Sequence, residues 1–518
     1  MLVLTNNVIM SVKDNNRRIA KNTLLLYFRM LFTMGVTLYT SRITLNILGV
    51  VDYGIYNVVG GVVAMFTVIS GSLSASIMRH MTYELGRHEQ KKLKDVFSTS
   101  IIVQVLLALI VIVVGELVGV WFLNVKMNIP SERLVAANWV LQCSIFTFAV
   151  NLISIPYNAV IIAHEKMGAF AYISIIEVCL KLVAVYLLYV LFYDKLVLWA
   201  ILLLIISLII RLIYVIYCKC KFEECRFSFL YNKSLVRQMM SFAGWNLIGS
   251  TSFVLKDQGI NIVLNLFCGA AVNAARGIAF QVNTAINNFV TNFMTAINPQ
   301  ITKSYASGDM EYMNSLIERG SRFSFYMLLI LSLPIMIETP YILKLWLNIV
   351  PEHTVNFVRL VLLTTLIDSI SGPLMTSAQA TGRIRNYQLM VGGITLLAFP
   401  ISYVWLRLGG KPEITMIIVM CISICTLFVR LRLLEKMINL NIALFTKNVL
   451  VNVSLVFIIS TIIPIILHYI LEGGFIRLLI IIVVSVPFTF LVIFWKGCKR
   501  EEQKFIVDKI AGLYNKYR

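Results

Sequence analysis

Long polar segments are missing from this 518-residue chain. The largest, about 79–95, 218–240, 299–321 and the tail after residue 496, are too short to bury a core of their own. Whatever the protein does is therefore done by its apolar stretches. Histidine is scarce: His80, His88, His164, His353 and His468 are scattered and form no paired metal spacing such as His-Glu-x-x-His. No glycine-rich loop with a Lys is present to cradle a phosphate, which speaks against direct ATP hydrolysis. A membrane glycan polymerase or transferase is the alternative from another class. Such enzymes usually need a sizeable loop to hold a polar donor or acceptor, and clustered acids or histidines on the outer face would argue for one. The loops here are short and show no such cluster. These absences predict a protein that is not an enzyme, with no catalytic residue, no metal and no cofactor.

Acids are few as well: 25 Asp and Glu stand against 45 Lys and Arg, for a net charge of +20. Such a balance often marks nucleic-acid binding. Here the cations sit in short loops beside apolar stretches, where anionic lipid and topology account for them, so no nucleic-acid partner is expected. Cys218, Cys220 and Cys225 match no zinc spacing and are expected as free thiols. No signal-peptide pattern precedes the first apolar stretch.

What the chain does have is fourteen apolar stretches, at roughly 22–45, 55–78, 96–123, 134–162, 170–192, 196–217, 241–267, 274–298, 322–347, 355–380, 387–407, 413–433, 448–470 and 475–495. Each holds about 20 or more mostly apolar residues, enough for a helix rising about 1.5 Å per residue to cross about 30 Å of hydrocarbon. Lys and Arg fall into every second gap: 31 of the 45 lie in the two tails and after the even-numbered stretches, and eight lie on the opposite side. Short cytoplasmic loops carry the positive excess, so both ends are expected in the cytoplasm. The tail places Phe505, Ile506, Ile510, Leu513 and Tyr514 among Lys and Glu, the pattern of an amphipathic helix on the inner leaflet or of a solvated one.

The chain reads as two related halves plus an extra pair of spans. Leu45-Asn46 ahead of Gly49, Gly54 and a polar turn ending at Gly86 recur about 220 residues later as Leu264-Asn265 ahead of Gly269, Gly277 and a turn ending at Gly308. Six spans return the chain to the same side, so the halves form a parallel repeat, an arrangement found in alternating-access transporters. The expected fold is an all-α polytopic membrane protein with about 14 transmembrane helices, two pseudo-symmetric six-helix bundles and two extra C-terminal helices. Its domains would be 1–240, 241–445, 446–496 with spans 13 and 14, and the basic tail 497–518.

Polar residues inside the spans are the candidate site. Arg29, Thr33, Thr37, Thr40 or Ser41, and Thr44 share one face of span 1. Span 7 carries Asn246, Ser250, Asp257, Asn261 and Asn265, and span 8 carries Asn273, Arg276, Asn283, Asn287, Thr291 and Asn298. Span 10 adds Thr365, Asp368, Thr376 and Gln379. Such stripes either line a water-accessible cavity between the halves or bond helix to helix. For the charges Arg29, Lys256, Asp257 and Arg276 the cavity is favoured, because an unpartnered intramembrane charge costs at least about 2.5 kcal/mol. Arg42 lies thirteen residues from Arg29 and joins that face only if the helix bends at Gly35. Glu177 and Lys181, four apart with the acid first, read as an internal pair. Glu116 has no evident partner and is a candidate for binding a coupling ion. Asp368 precedes Ser371-Gly372-Pro373, a sequence able to break a helix.

The stretch Arg42-Ile-Thr-Leu-Asn-Ile-Leu-Gly49-Val-Val-Asp52-Tyr53-Gly54-Ile-Tyr56, after a basic N-terminus and a first span, resembles the opening of bacterial polysaccharide flippases. Ala274-Ala-Arg276-Gly277, Ala296-Ile-Asn-Pro299-Gln-Ile and Tyr305-Ala-Ser-Gly308-Asp309 are similar to the same family after span 7. The motifs are loose, so they indicate the superfamily of multidrug, oligosaccharidyl-lipid and polysaccharide exporters better than the cargo. Asn273-Ala-Ala-Arg stands where relatives often have Gly-x-Tyr.

The resemblance implies translocation of a polyprenyl-diphosphate-linked oligosaccharide across the bacterial cytoplasmic (inner) membrane, for O-antigen, capsule or a related surface glycan. On that reading Arg29 and Arg276 contact the diphosphate, with Arg42 and Lys256 secondary. Asn261, Asn265, Asn283 and Asn287 bond sugar hydroxyls, and Asp257, Asp368 or Glu116 carries a coupling ion. The expected partners are the lipid-linked oligosaccharide, membrane lipids and other glycan-assembly proteins, with the chain itself a monomer. The alternative within the superfamily is a cation-coupled drug exporter, which would want a net acidic, aromatic-lined cavity.

Overall fold

The computed structural model describes residues 2–64, 67–125, 129–190, 194–226, 232–347, 350–504 and 507. The expected amphipathic tail, with Ile510, Leu513 and Tyr514, lies outside the described residues, as do Phe505 and Ile506. Helices run α1 (Leu2–Ala64), α2 (Thr67–Gly86), α3 (Gln90–Val114), α4 (Val120–Val125), α5 (Leu134–Ala163), α6 (Met167–Val190) and α7 (Lys195–Lys221). Then follow α8 (Lys233–Ala306), α9 (Met310–Ile337), α10 (Thr339–Leu347), α11 (Thr354–Thr381), α12 (Arg385–Leu396), α13 (Ala398–Arg407), α14 (Glu413–Ile438), α15 (Ile442–Phe445), α16 (Asn452–Ile470) and α17 (Phe475–Val492). Short π-helical turns join α3 to α4 and α15 to α16. Among the described residues no strand occurs.

Two of these helices are each two arms. In α1 Gly49 takes φ 75°, ψ 173°, and in α8 Gly269 takes φ 83°, ψ 179°. That region of backbone space is essentially closed to any residue with a Cβ. The same break therefore recurs on glycine, 220 residues apart in sequence. Eleven stretches among the described residues are long and apolar enough to cross a membrane. The three other expected spans coincide with the arm of α1 after Gly49 together with α2, and with the two arms of α8. The two arms of α8 carry the Asn, Asp and Arg residues noted above.

The repeat extends along the helix order. The starts of α3 and α9 and of α5 and α11 lie 220 residues apart, and those of α6 and α12 and of α7 and α14 lie 218 apart. Turn geometry follows: His88 (φ 58°) and Gly308 (φ 79°) take the left-handed region in the turns before α3 and α9. The equivalent of Gly308 is thus His88, not Gly86, which lies inside α2. Gly86 is small for another reason, since a Cβ there would stand 2.9 Å from Lys303 and Ala306.

The chain forms two compact units, residues 1–247 with 302–308, and residues 248–301 with 309–518. In the first, α5 packs against α7, α3 and α2, and α1 against α6. Met81, Phe97, Val160, Val185 and Cys218 are at most 1% exposed in its core. In the second, α11 is the central helix between α9 and α14, while α16 and α17 pair with each other and lie on α9. The buried Arg322 of α9 fixes the chain end here: it donates to the Gly497 carbonyl (3.1 Å) and pairs with Glu502 (2.6 Å). Pro373 does not break α11, which runs unbroken through the sequence after Asp368. Ser321 of α9 donates to the Ile370 carbonyl (2.9 Å) beside it, and tight packing of Pro373 on Gly320 holds the helix in line.

Candidate functional site

In the second unit the break at Gly269 turns the chain back on itself. Arg276 donates to the side chain of Asn261 and stands 3.6 Å from Asp257. In a continuous helix the fifteen steps from residue 261 to residue 276 would span about 22 Å at about 1.5 Å each. The hairpin therefore builds the site, and glycine allows the hairpin. Asp257 also lies 3.3 Å from Lys256. Both cations are buried, Arg276 at 3% and Lys256 at 6% exposure, while each rests on a ring: Arg276 on Phe280 and Lys256 on Phe253, both at 4.2 Å. A guanidinium or ammonium over an aromatic face gains electrostatic attraction from the ring.

Asp368 of α11 joins the same cluster, with Lys256, Arg430, Asp257 and the Ser423 hydroxyl as its electrostatic neighbours. Four of the expected site residues, Lys256, Asp257, Asn261 and Arg276, are thus brought together, with Asp368 within electrostatic reach of Lys256 and Asp257. Sequence reasoning missed Arg430, because it reads as one of the loop cations at the end of span 12. Counting Lys256, Arg276 and Arg430 against Asp257 and Asp368, cations exceed acids.

The polar stripes divide by role. Thr365 of α11 donates to Asn283 (2.7 Å) and Thr376 to Asn298 (2.9 Å), so these groups join α11 to α8. Asn265 and Asn287 are exposed. The hydroxyls of α1 do something else: Thr40, Ser41 and Thr44 donate to carbonyls one turn back in their own helix, at 2.7, 2.9 and 2.8 Å. They border a cavity of about 280 Å³ inside the first unit, together with Glu177 and Lys181. Those two pair at 2.6 Å, as their spacing predicts.

Arg29, half-buried, reaches the Ser174 hydroxyl (3.5 Å) and lies 4.6 Å over the Phe170 ring. Arg42 is exposed; α1 stays helical through Gly35 and breaks only at Gly49, so the bend that would bring Arg42 onto the Arg29 face is absent. Glu116 has a partner after all. It sits in the π-helical turn after α3 and accepts from Gln142 of α5 (2.7 Å), a contact between helices that spacing along one helix does not reveal.

Several ion pairs frame the helix ends. Arg133 donates to both Asp52 and Asp194 (Asp194 at 2.6 Å), and the equivalent turn of the second unit pairs His353 with Glu413 (2.6 Å). Asp52 of the quoted motif is thus one arm of a carboxylate clamp. Burial works to raise the Asp194 carboxyl, but Arg133 and the backbone amides of Leu196 and Val197 outweigh it and hold the pKa below the usual aspartate range. Glu224 behaves likewise, with His164 outweighing burial. In the first unit Glu165, fully buried, takes Arg18 (2.8 Å) and Lys303 (2.6 Å).

A multi-pass, all-α chain of two repeated six-helix halves, with charge clusters buried inside its spans, has the fold of transporters of the MOP superfamily. It superposes with TM-score 0.71 on an outward-facing multidrug resistance MATE family transporter of that superfamily, at 11% identity over 82% of this chain and 96% of the other. A MOP superfamily transporter from Pyrococcus furiosus aligns with TM-score 0.68 at 12% identity, over 81% and 96%. The chain belongs to the polysaccharide biosynthesis protein family, which it matches over residues 19–305. It is also 22% identical over 302 residues to the uncharacterized membrane protein EpsK of Bacillus subtilis (strain 168), a match that spans 57% of this chain and 58% of that relative's length.

Proposed function

We propose that this protein flips a polyprenyl-diphosphate-linked oligosaccharide from the cytoplasmic to the outer leaflet of a bacterial cytoplasmic membrane by ion-coupled alternating access. The product serves O-antigen, capsule or a related surface glycan. The observation that carries this reading is the excess of cations over acids in the cluster around Arg276. A diphosphate is drawn to buried Arg and Lys in a low-dielectric setting. Asp257 acts as the resident counter-ion: at 3.3 Å from Lys256 and 3.6 Å from Arg276 it is shared between the two cations and leaves a net positive charge for the phosphates to compete for. Asp257 and Asp368 are the candidates to take up the coupling ion once displaced. Arg29 is a further candidate phosphate contact. The basic loops and both termini face the cytoplasm, in keeping with the charge distribution.

The structural likeness to a multidrug transporter favours one second reading, a cation-coupled drug exporter of the same superfamily. A cationic cluster repels the cations such a pump carries. The two readings separate in cells with and without the protein, probed with an externally added, membrane-impermeant glycan-modifying reagent. A lipid-linked intermediate that persists but becomes inaccessible without the protein supports the flippase. Unchanged accessibility with lowered drug resistance supports the exporter. If repeat units stay accessible and only their joining stops, both transport readings fall.

A further inference from the structure

We infer that the cavity of the first unit, enclosed by α1, α5, α6 and α7, is a binding pocket for an uncharged sugar ring. As a cargo subsite this rests on the flippase reading. As a sugar site it stands on its own chemistry.

The cavity has a volume of about 280 Å³ and is bordered by the hydroxyl stripe of α1, Thr147 and Asn151 of α5, the Glu177–Lys181 pair of α6 and Trp199 of α7. All these groups lie on helices long and apolar enough to span a membrane. Polar side chains at such depth are retained where they meet water, a partner or a ligand. Its size lies just below the roughly 300–1,000 Å³ of ligand pockets, which limits the occupant to about one sugar ring.

Charge selects among possible occupants. Glu177 and Lys181 neutralise each other at 2.6 Å, yet their side chains remain 37% and 40% exposed toward the space between the helices. The pocket is therefore neutral, and neither a free phosphate nor an organic cation finds uncompensated charge in it. It is nonetheless rich in hydrogen-bonding capacity of both kinds. Thr147 and Asn151, one turn apart on α5, make no side-chain hydrogen bond to any described residue, which leaves the amide and the hydroxyl for a ligand. Thr40, Ser41 and Thr44 have spent their protons on their own helix and offer lone pairs. Lys181 retains two ammonium protons beyond the one given to Glu177. A ring hydroxyl is donor and acceptor at once, so a sugar uses such a mixture fully, whereas an acyl chain would strand it. Tyr56 and Trp199, packed edge to face at 6.3 Å, supply the apolar wall for the C–H surface of a ring.

The test uses the full-length protein in lipid nanodiscs. Methyl glycosides of glucose, galactose, N-acetylglucosamine and N-acetylgalactosamine are titrated by saturation-transfer NMR, with methyl glucuronide and inorganic phosphate as charged probes. At least one neutral glycoside should bind saturably, and Asn151→Ala should weaken it by about tenfold, as expected for one or two lost hydrogen bonds. Glu177→Gln with Lys181→Gln should weaken it similarly while keeping the pocket neutral; Arg276→Ala should leave it unchanged. Because the Asn151 side chain makes no hydrogen bond to a described residue, its removal leaves no described group unpaired. Binding of charged probes only, no saturable binding, or binding indifferent to both pocket variants overturns the inference. The leaflet assay keeps the two readings apart. If the wild type flips and the Asn151→Ala protein flips equally well without binding glycoside, the pocket is a sugar site but not a cargo subsite, and the flippase reading stands. If glycoside binding depends on the pocket but the wild type does not flip, the sugar site stands and the flippase reading fails.

Discussion

Arg276 bonds to Asn261 across a reversal of the chain, and the residue at the reversal, Gly269, holds φ 83°. The same backbone recurs at Gly49, where φ is 75°. An added Cβ at either position would meet nothing within 4 Å, so the demand for glycine is conformational and not steric. Gly49→Ala and Gly269→Ala should each destabilise the protein by about 1–3 kcal/mol, the cost of holding a side-chain-bearing residue in a glycine-only region. Gly277→Ala, also in open space but within a helical arm, should be neutral or stabilising by up to about 1 kcal/mol. Thermal unfolding in a single detergent compares the three. Equal behaviour of all three would sink the argument.

Arg276→Ala should lower leaflet transfer of the lipid-linked glycan at least about tenfold while leaving the protein in the membrane, since a charge-assisted contact to phosphate is worth about 1.5–3 kcal/mol. Arg29→Ala should act in the same direction. Arg276→Lys should recover part of the loss, because a point charge replaces a forked donor. Externally accessible glycan, scored against the amount of protein in the membrane fraction, reports all three. Normal export by both alanine variants would rule out the cationic contacts.

Glu338 closes the end of α9 against the last two helices. It is fully buried, pairs with His468 of α16 (2.6 Å) and accepts from Arg477 of α17 (3.0 Å). Glu338→Ala strands those two partners and should cost about 3 kcal/mol. Glu338→Gln, which still accepts hydrogen bonds, should cost less. Limited proteolysis should show the α16–α17 hairpin released first in the alanine variant, and a uniform pattern would contradict this.

Asp194 gives a pH prediction with a definite sign. Its folded pKa is depressed, so its contribution to stability is complete above the ordinary aspartate value of about 3.9 and is lost as pH falls through the lower folded value. The Tm should be insensitive to this group near neutrality and should drop in acid below about pH 4. Asp194→Asn should lower stability at neutral pH and flatten the acid limb. An acid limb identical in wild type and variant would remove Asp194 from the account.

Spans were legible because the hydrocarbon requirement is local: about 20 apolar residues in a row suffice, whatever surrounds them. The polar composition of the α8 arms was legible for the same reason, and so was the Glu177–Lys181 pair, since neighbours four apart on a helix meet. The doubled glycine break could be seen as a faint repeat, though the turn at His88 could not, because His88 and Gly308 share a conformation and not a residue type. Glu116 looked unpartnered because Gln142 is on another helix, and the charge cluster lacked Arg430, which belongs to α14.

The sequence by itself determined that this is a membrane chain of repeated helical halves, because apolar length, glycine at the two breaks and the spacing of the repeat are properties of the chain read in order. Tertiary structure decided which polar groups serve as joints and which are left for a ligand. Thr365 and Thr376 stand within hydrogen-bond distance of Asn283 and Asn298 of α8 as well as of carbonyls in their own helix, while Thr40 and Thr44 turn their protons back into α1 and border a cavity. A hydroxyl in a span must find a partner somewhere, and only the neighbouring helix determines whether that partner is protein.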